Sequence, residues 1–279
     1  AFLASGFAMG QNYSYKKKQI AQPGSMYFYW GYNRSIYSKS DINFTGDYYN
    51  FTIHKALAHD KPEGDFKTYI NPAKITIPQF NFRVGYYLNK KWDLSLGWDH
   101  MKYVMTNGQE AKLTGQIPES ENQYLNGEFN GEYYIIHDQI IHYENTNGLN
   151  YIRAQLTYNE LLYQTNNHNF AVRARFGFAA GAIMTQTDFN WNGKDFHTNQ
   201  KITGFGFSGH TGARLEFFNR VFAQTNFSTG FIAIPHLQTI AGTNNYARQK
   251  FVYGEWQIVA GAFWYLKFKN GCDSCPDWH

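Results

Sequence analysis

The sequence predicts an all-β fold, a transmembrane antiparallel up-and-down β-barrel of about eight strands with long extracellular loops. Three observations carry that expectation: a ring-rich, charge-poor composition, strand-period alternation in segments of about ten residues or more, and tight turns that alternate with long polar connections. Of the 279 residues, 19% are aromatic (24 Phe, 22 Tyr, 7 Trp) and only 16% are charged, against roughly 25% charged in ordinary soluble domains. The mean hydropathy is nonetheless polar, at -0.53. A helical membrane protein is excluded, because no run approaches the roughly 20 apolar residues of a spanning helix. Chains this rich in Phe and Tyr bury surface, so disorder is excluded as well. What remains is a chain apolar on one face of each strand and polar on the other.

The elements follow in order. Ser25 to Ser38 opens the strand series. In Phe80 to Asn89 the set Phe80, Phe82, Val84, Tyr86 and Leu88 alternates with Asn81, Arg83, Gly85 and Tyr87. After the turn Asn89-Lys90-Lys91, Trp92, Leu94, Leu96 and Trp98 alternate with Asp93, Ser95, Gly97 and Asp99, which makes a hairpin with one apolar face. Gly148 to Tyr163 pairs through residues 165–169 with Phe170 to Phe189, and Ile202 to Phe217 pairs through residues 218–220 with Val221 to Ile234. Lys250 to Phe268 closes the series, with Trp256, Ile258, Ala260, Ala262, Trp264, Leu266 and Phe268 on one face. Val172 and Ala260 are assigned to lipid near mid-membrane.

The long connections, 39–79, 106–148, 190–201 and 238–249, belong outside the cell, since barrels of this class keep short turns in the periplasm. Both termini then lie in the periplasm and the protein in a bacterial outer membrane. Tyr48 to Leu57, Ala111 to Ile117 and Tyr133 to Tyr143 are candidate strands within the loops, able to raise an extracellular rim. A soluble β-sandwich is the competing architecture. It fits less well, because the apolar faces carry Trp and Phe while the opposite faces carry Arg, Asp and Glu.

One barrel accounts for residues 12–268. Ala1 to Gly10, apolar and small, followed by Gln11, reads as the end of a secretory signal peptide, so residues 1–11 are assigned as its remnant and 269–279 as a periplasmic tail. The charge balance, 25 Lys+Arg against 21 Asp+Glu for a net +4, is too modest and dispersed for a nucleic-acid partner.

With the apolar faces on lipid, the lumen receives Arg83, Asp93, Asp99, Arg153, Arg173, Arg175, Arg214, Glu216 and Glu255. An eight-stranded barrel is only wide enough for side chains to fill it, and charges in so dry a space must pair or cost several kcal/mol each. A plug of bidentate Arg–carboxylate bridges is therefore expected; the alternative, a narrow channel, needs a water-lined path past Arg83, Arg173 and Arg175. The best case for an enzyme is Ser208, His210 and Glu216 on one face of one strand, with Asp99 beside His100 on another. Small outer-membrane barrels include lipid A acyltransferases and deacylases with Ser, His and a carboxylate near the outer rim, but the deacylase His-X-Ser element is missing, so a lipid A or phospholipid acyl hydrolase stands as the alternative function.

Cys272 and Cys275, in Cys272-Asp273-Ser274-Cys275, most simply form a local disulfide in an oxidising compartment. The loop acids Asp41, Asp47, Asp60, Glu63, Asp65, Glu119, Glu121, Glu128 and Glu132 lack an EF-hand spacing and read as solvated loop. No motif calls for a cofactor or a metal.

The strings INPAKITIPQFNFRVGYYLNKKWDLSLGWDHMKYVM (Ile70 to Met105) and GLNYIRAQL (Gly148 to Leu156) resemble a family of small outer-membrane barrel proteins from Bacteroidota with no assigned activity. The likeness runs from the first strand to Phe268. The architecture is similar to the barrels of outer-membrane proteins A and X, without a peptidoglycan-binding domain after the barrel. By association, the resemblance implies an accessory subunit of an envelope complex for outer-membrane protein assembly or secretion. Outer-membrane lipid and lipopolysaccharide are the expected surroundings, and other outer-membrane proteins the expected partners through extracellular loops. Tyr124, Tyr133, Tyr134 and Tyr143 suit such contacts, since Tyr brings large area at low entropy cost; a membrane-interface girdle is the plainer role for any one of them.

Overall fold

A computed structural model describes residues 24–265. The signal-peptide remnant, Leu266, Phe268, the tail 269–279 and the Cys272–Cys275 pair all lie outside the described residues.

The wall of the barrel is built from eight long strands: β1 (Ser25–Tyr37), β5 (Phe80–Tyr87), β6 (Trp92–Met105), β9 (Ile141–Gln164), β10 (Phe170–Thr185), β13 (Lys201–Phe217), β14 (Val221–Gln238) and β15 (Tyr246–Tyr265). Each is antiparallel to the next, and the ring closes where Ser25 to Tyr37 of β1 pair with Tyr265 to Tyr253 of β15. Closure leaves no free edge in the wall, which is what lets strands cross a lipid phase with every backbone group bonded.

Three short turns sit at one end. At the β5–β6 turn the Asn89 side chain accepts the N–H groups of Lys91 (2.8 Å) and Trp92 (2.9 Å), an Asx turn of the kind Asn forms readily. At the β13–β14 turn Phe218 and Asn219 both have positive φ, 53° and 58°, the left-handed central pair of a type I′ turn, closed by the Arg220 N–H on Phe217 O at 3.0 Å. Ser25 and Tyr265, the first and last ladder partners, share this end of the barrel.

The outward faces are apolar from the turn end upward: Trp92, Leu94, Leu96 and Trp98 on β6, Phe176 and Phe178 on β10, Phe227 and Phe231 on β14, and Trp256, Ile258 and Trp264 on β15 are all exposed. Phe178 is 79% exposed, and as part of this continuous apolar band it suits lipid better than water. Val172 departs from the expected mid-membrane depth. It pairs with Tyr163 and Leu215 beside the 165–169 turn, at the edge of the apolar belt, whereas Ala260, paired with Trp30 and Ala223, lies well inside it.

At the other end the connections form further strands. These are β2 (Ser40–Thr45), β3 (Asn50–Ala56), β4 (Ala58–His59), β7 (Gln109–Ile117), β8 (Gly127–Ile136), β11 (Asp188–Trp191) and β12 (Lys194–His197), with one short helix α1 (Phe66–Ile70). The top of β15 leaves β1 and pairs with β2, so that the sheet continues β15-β2-β3-β7-β8, while β9 continues into β11 and β12. The candidate strand at Tyr133 to Tyr143 is broken, because β8 ends at Ile136 and β9 starts at Ile141. The two sheets close on an apolar core: Phe44 and Phe51 stack 5.3 Å apart, and Phe189 and Trp191 of β11 stack on them at 5.6 Å each. Tyr103, Tyr143, Leu149, Ile183, Ile234 and Phe251 are among the other residues of this core. The loop end is thus a folded head, sealed by rings, and not a set of separate loops.

Candidate functional site: a filled lumen beneath an apolar head

Below the head the inward face is polar. All nine expected lumen charges are buried, each at 5% exposure or less, because they occupy the alternate positions of strands whose other face meets the belt. Their arrangement has two main layers. In the upper one, Asp99 receives Nη2 of Arg83 on both oxygens, at 2.9 and 3.1 Å, and lies 2.5 Å from Nε of Arg153. Arg153 reaches Glu255 at 3.3 Å and donates to Ser208 Oγ at 2.8 Å and Tyr253 Oη at 3.2 Å. Asn81 donates to both carboxylates, Asp99 at 2.6 Å and Glu255 at 2.9 Å, and Gln257 donates to Glu255 at 2.8 Å.

Six residues nearer the turn end on β6, Asp93 gathers the second layer. It accepts from Tyr27 Oη (2.6 Å), Asn159 (2.7 Å) and Arg175 (3.1 Å). Arg214 has no carboxylate partner among the described residues. Its guanidinium bonds Gln224 at 2.6 Å and Tyr87 Oη at 2.9 Å, and lies 4.0 Å from the Phe222 ring centre and 4.5 Å from that of Tyr27. Ring faces stabilise a desolvated cation, which accommodates the fifth arginine beside four carboxylates. Nearest the turns, Arg173 holds Glu216 through Nε alone, at 3.0 and 3.1 Å. The bridges are therefore not fork-to-fork: in the pairs of Arg83 and Arg173 a single nitrogen spans both oxygens.

The turn end is closed by Tyr27, Tyr29, Tyr87, Phe222, Val259 and Phe263. Glycines make room for two of these rings, since a Cβ on Gly85 would fall 2.1 Å from the Tyr27 ring and one on Gly261 2.3 Å from that of Phe222.

Ser208, His210 and Glu216 are not brought together. The Ser208 hydroxyl accepts from Arg153, while His210 Nε2 lies 2.8 Å from Gln155 Nε2 and 3.2 Å from Thr157 Oγ1. Glu216 is bonded to Arg173 and stands eight residues along β13 from Ser208, about 26 Å at the rise of a strand. Among the described residues the serine thus has no base, and the cluster lies inside the barrel, not at the rim. His100, beside Asp99, faces the other way and bonds Asn150 at 2.8 Å. Among the described residues no group of three or more His, Cys, Asp or Glu is placed to hold a metal ion.

Sequence reasoning placed Asn81 on the inward face but missed the other neutral members of the lumen, Gln155, Asn159, Gln224 and Gln257, although they share the alternation of the charges. It also missed the inward tyrosines of β1. Rings on both faces of that strand, Tyr27 and Tyr29 inward against Phe28 and Trp30 outward, hide its phase.

The head carries its own ionic cluster. Glu144 is bonded by Lys61 (3.1 Å), His142 (3.2 Å) and Thr146 (3.1 Å). Partial burial opposes its ionisation, yet these donors hold its pKa at about 2. The hydrogen bond to Glu144 raises the pKa of His142 in spite of burial, with Asp138 adding to the effect from 3.0 Å.

A closed antiparallel ring, an apolar outer belt and a polar filled interior together define a transmembrane β-barrel. No protein-family model matches the chain, and no curated protein matches it. Among solved structures it is similar to the outer membrane protein OprG from Pseudomonas aeruginosa, at 11% identity over 90% of this chain and 100% of that one, with a TM-score of 0.41. Outer membrane protein AlkL in lipid bilayers is similar at 10% identity over 94% and 100%, TM-score 0.43, and the outer membrane protease OmpT from Escherichia coli at 10% over 90% and 99%, TM-score 0.35. With scores this low, the class rests on the chain's own ring and belt.

Proposed function

We propose that this protein is a non-enzymatic outer-membrane barrel that serves as a scaffold, an accessory subunit of an envelope complex, whose rigid head contacts another outer-membrane protein. In this reading the turn end and both termini face the periplasm, and the head stands outside the cell. The observation that supports it is the interior of the described residues: charge layers lie below an aromatic core, and the Ser208 hydroxyl is engaged by Arg153, while the outward surface of the head is elaborate. Among the described residues β8 ends its sheet with no strand on its far side, and Tyr124, Tyr133 and Ile135 stand exposed on or near it. A sheet edge with free N–H and C=O groups is a ready surface for strand addition.

The test is isolation from native outer membranes in mild detergent, with mass spectrometry of what remains bound in stoichiometric amount. A defined partner is expected, and the double variant Tyr133→Lys, Ile135→Lys should reduce its recovery at least about tenfold, the scale of 1.4 kcal/mol of binding. A lone monomer from wild-type membranes would sink the scaffold reading.

A further inference from the structure

Where β15 exchanges β1 for β2, an open cavity of about 750 Å³ is lined by Lys39, Arg248 and Lys250, together with Ser40, Asp41, Ile234, Pro235 and Gln249. It sits at a break in the wall: β14 shifts register between Ile234 and Leu237, and Ser38 caps the pairing of β1 through its N–H on Val252 O at 2.9 Å. Three cations face it against one carboxylate, and that carboxylate is already engaged. Asp41 Oδ2 is 3.0 Å from His54 Nδ1, and Oδ1 accepts the Lys55 N–H at 2.8 Å. Lys39 and Lys250 have no ion-pair partner among the described residues, and Arg248 is steadied by Tyr246, whose hydroxyl it bonds at 2.9 Å and whose ring lies 4.8 Å below its guanidinium. A positively charged surface with no internal counter-ion attracts an anion.

The position along the strand says which anion. Residues two apart on a strand share a face, so Lys250 and Arg248 continue the outward row Trp264, Ala262, Ala260, Ile258, Trp256 and Val252. Val252 is 50% exposed, and Ile36, 72% exposed, lies across Gly254 toward Phe227. The cations therefore stand one step above the last apolar residues of the belt. A free phosphate would use the cations and ignore the shelf. An amphiphile with phosphate at the junction of headgroup and acyl chains would use both.

We infer that Lys39, Arg248 and Lys250 form a binding site for the phosphorylated headgroup of an outer-leaflet lipid, whose acyl chains lie on Ile36 and Val252. This rests on the orientation of the proposed function, with the head outside the cell, but needs no protein partner. The experiment is binding of the purified, detergent-refolded full chain to phosphorylated lipid A, to the same lipid after enzymatic dephosphorylation, and to inorganic phosphate. Phosphorylated lipid should bind at least about tenfold more tightly than dephosphorylated lipid, with an affinity that falls as salt is raised. The variant Lys39→Gln, Arg248→Gln, Lys250→Gln should lose that preference while keeping its β-sheet circular dichroism, because all three side chains are solvent-facing. Ile36→Asn should weaken lipid binding and preserve the preference for phosphate. Equal binding of the two lipids, an unchanged triple variant, or competition by inorganic phosphate at the lipid's own concentration would each overturn the assignment.

Discussion

Arg153 is the centre of the lumen at the scale of single residues. It touches Asp99, Glu255, Ser208 and Tyr253 and lies 5.0 Å from the ring of Tyr151. Removing one member of a buried ion network leaves the others uncompensated, at a cost of about 3–5 kcal/mol. Arg153→Met is accordingly expected to lose that much in urea unfolding from lipid vesicles followed by tryptophan fluorescence. Ser208→Ala, which removes only a neutral acceptor, should lose about 1 kcal/mol; an equal loss in both variants would count against Arg153 as the hub. The sequence already marked these positions as inward and charged, because Arg153 and Glu255 alternate with apolar neighbours. It did not reveal who meets whom. Asp99 and Glu255 are brought to one arginine by the closing of the ring, and the rings that carry Arg214 come from β1 and β14.

The strands themselves were legible from the period of two, and their facing is testable by depth. Arg on the lipid face of a barrel costs about 2–4 kcal/mol at mid-bilayer and about 0–1 kcal/mol near the interfaces. Ala260→Arg should therefore cost the larger amount and Val172→Arg, beside the turn, the smaller, in the same unfolding assay; a reversed order would refute the register. The depth of Val172 could not be read from alternation, which gives face and not height. The upper parts of β10, β14 and β15 were harder still. Inward residues there switch from Arg and Gln to Ile183, Ile234 and Phe251, so that rings and aliphatics stand on the core side of the head and the lipid side of the belt alike. One hydrophobic pattern serves two solvents, and only the partner sheet separates them.

For the molecule as a whole, the filled lumen predicts electrical silence. Purified protein reconstituted in planar bilayers should give no discrete conductance steps at neutral pH and moderate salt, since passage would require parting the Tyr27–Asp93 and Arg83–Asp99 contacts and then the aromatic core of the head. Steps of reproducible size would mean that the head opens as a lid, and the plug would have to be abandoned.

Alternation, turn chemistry and composition determine the barrel on their own, because each strand must present one face to lipid and the other to the interior, and that demand is written locally, residue by residue. The candidate sites were a different matter. Ser208, His210 and Glu216 share a face in the sequence, but Glu216 stands eight residues along β13 from Ser208, and Ser208 and His210 are each engaged by other lumen residues. Lys39 is far in the chain from Arg248 and Lys250, which share a face of β15, and meets them only because β15 changes neighbour above the belt. Which charges neutralise each other, and which are left free, depends on contacts between strands distant in sequence, and these exist only once the ring has closed.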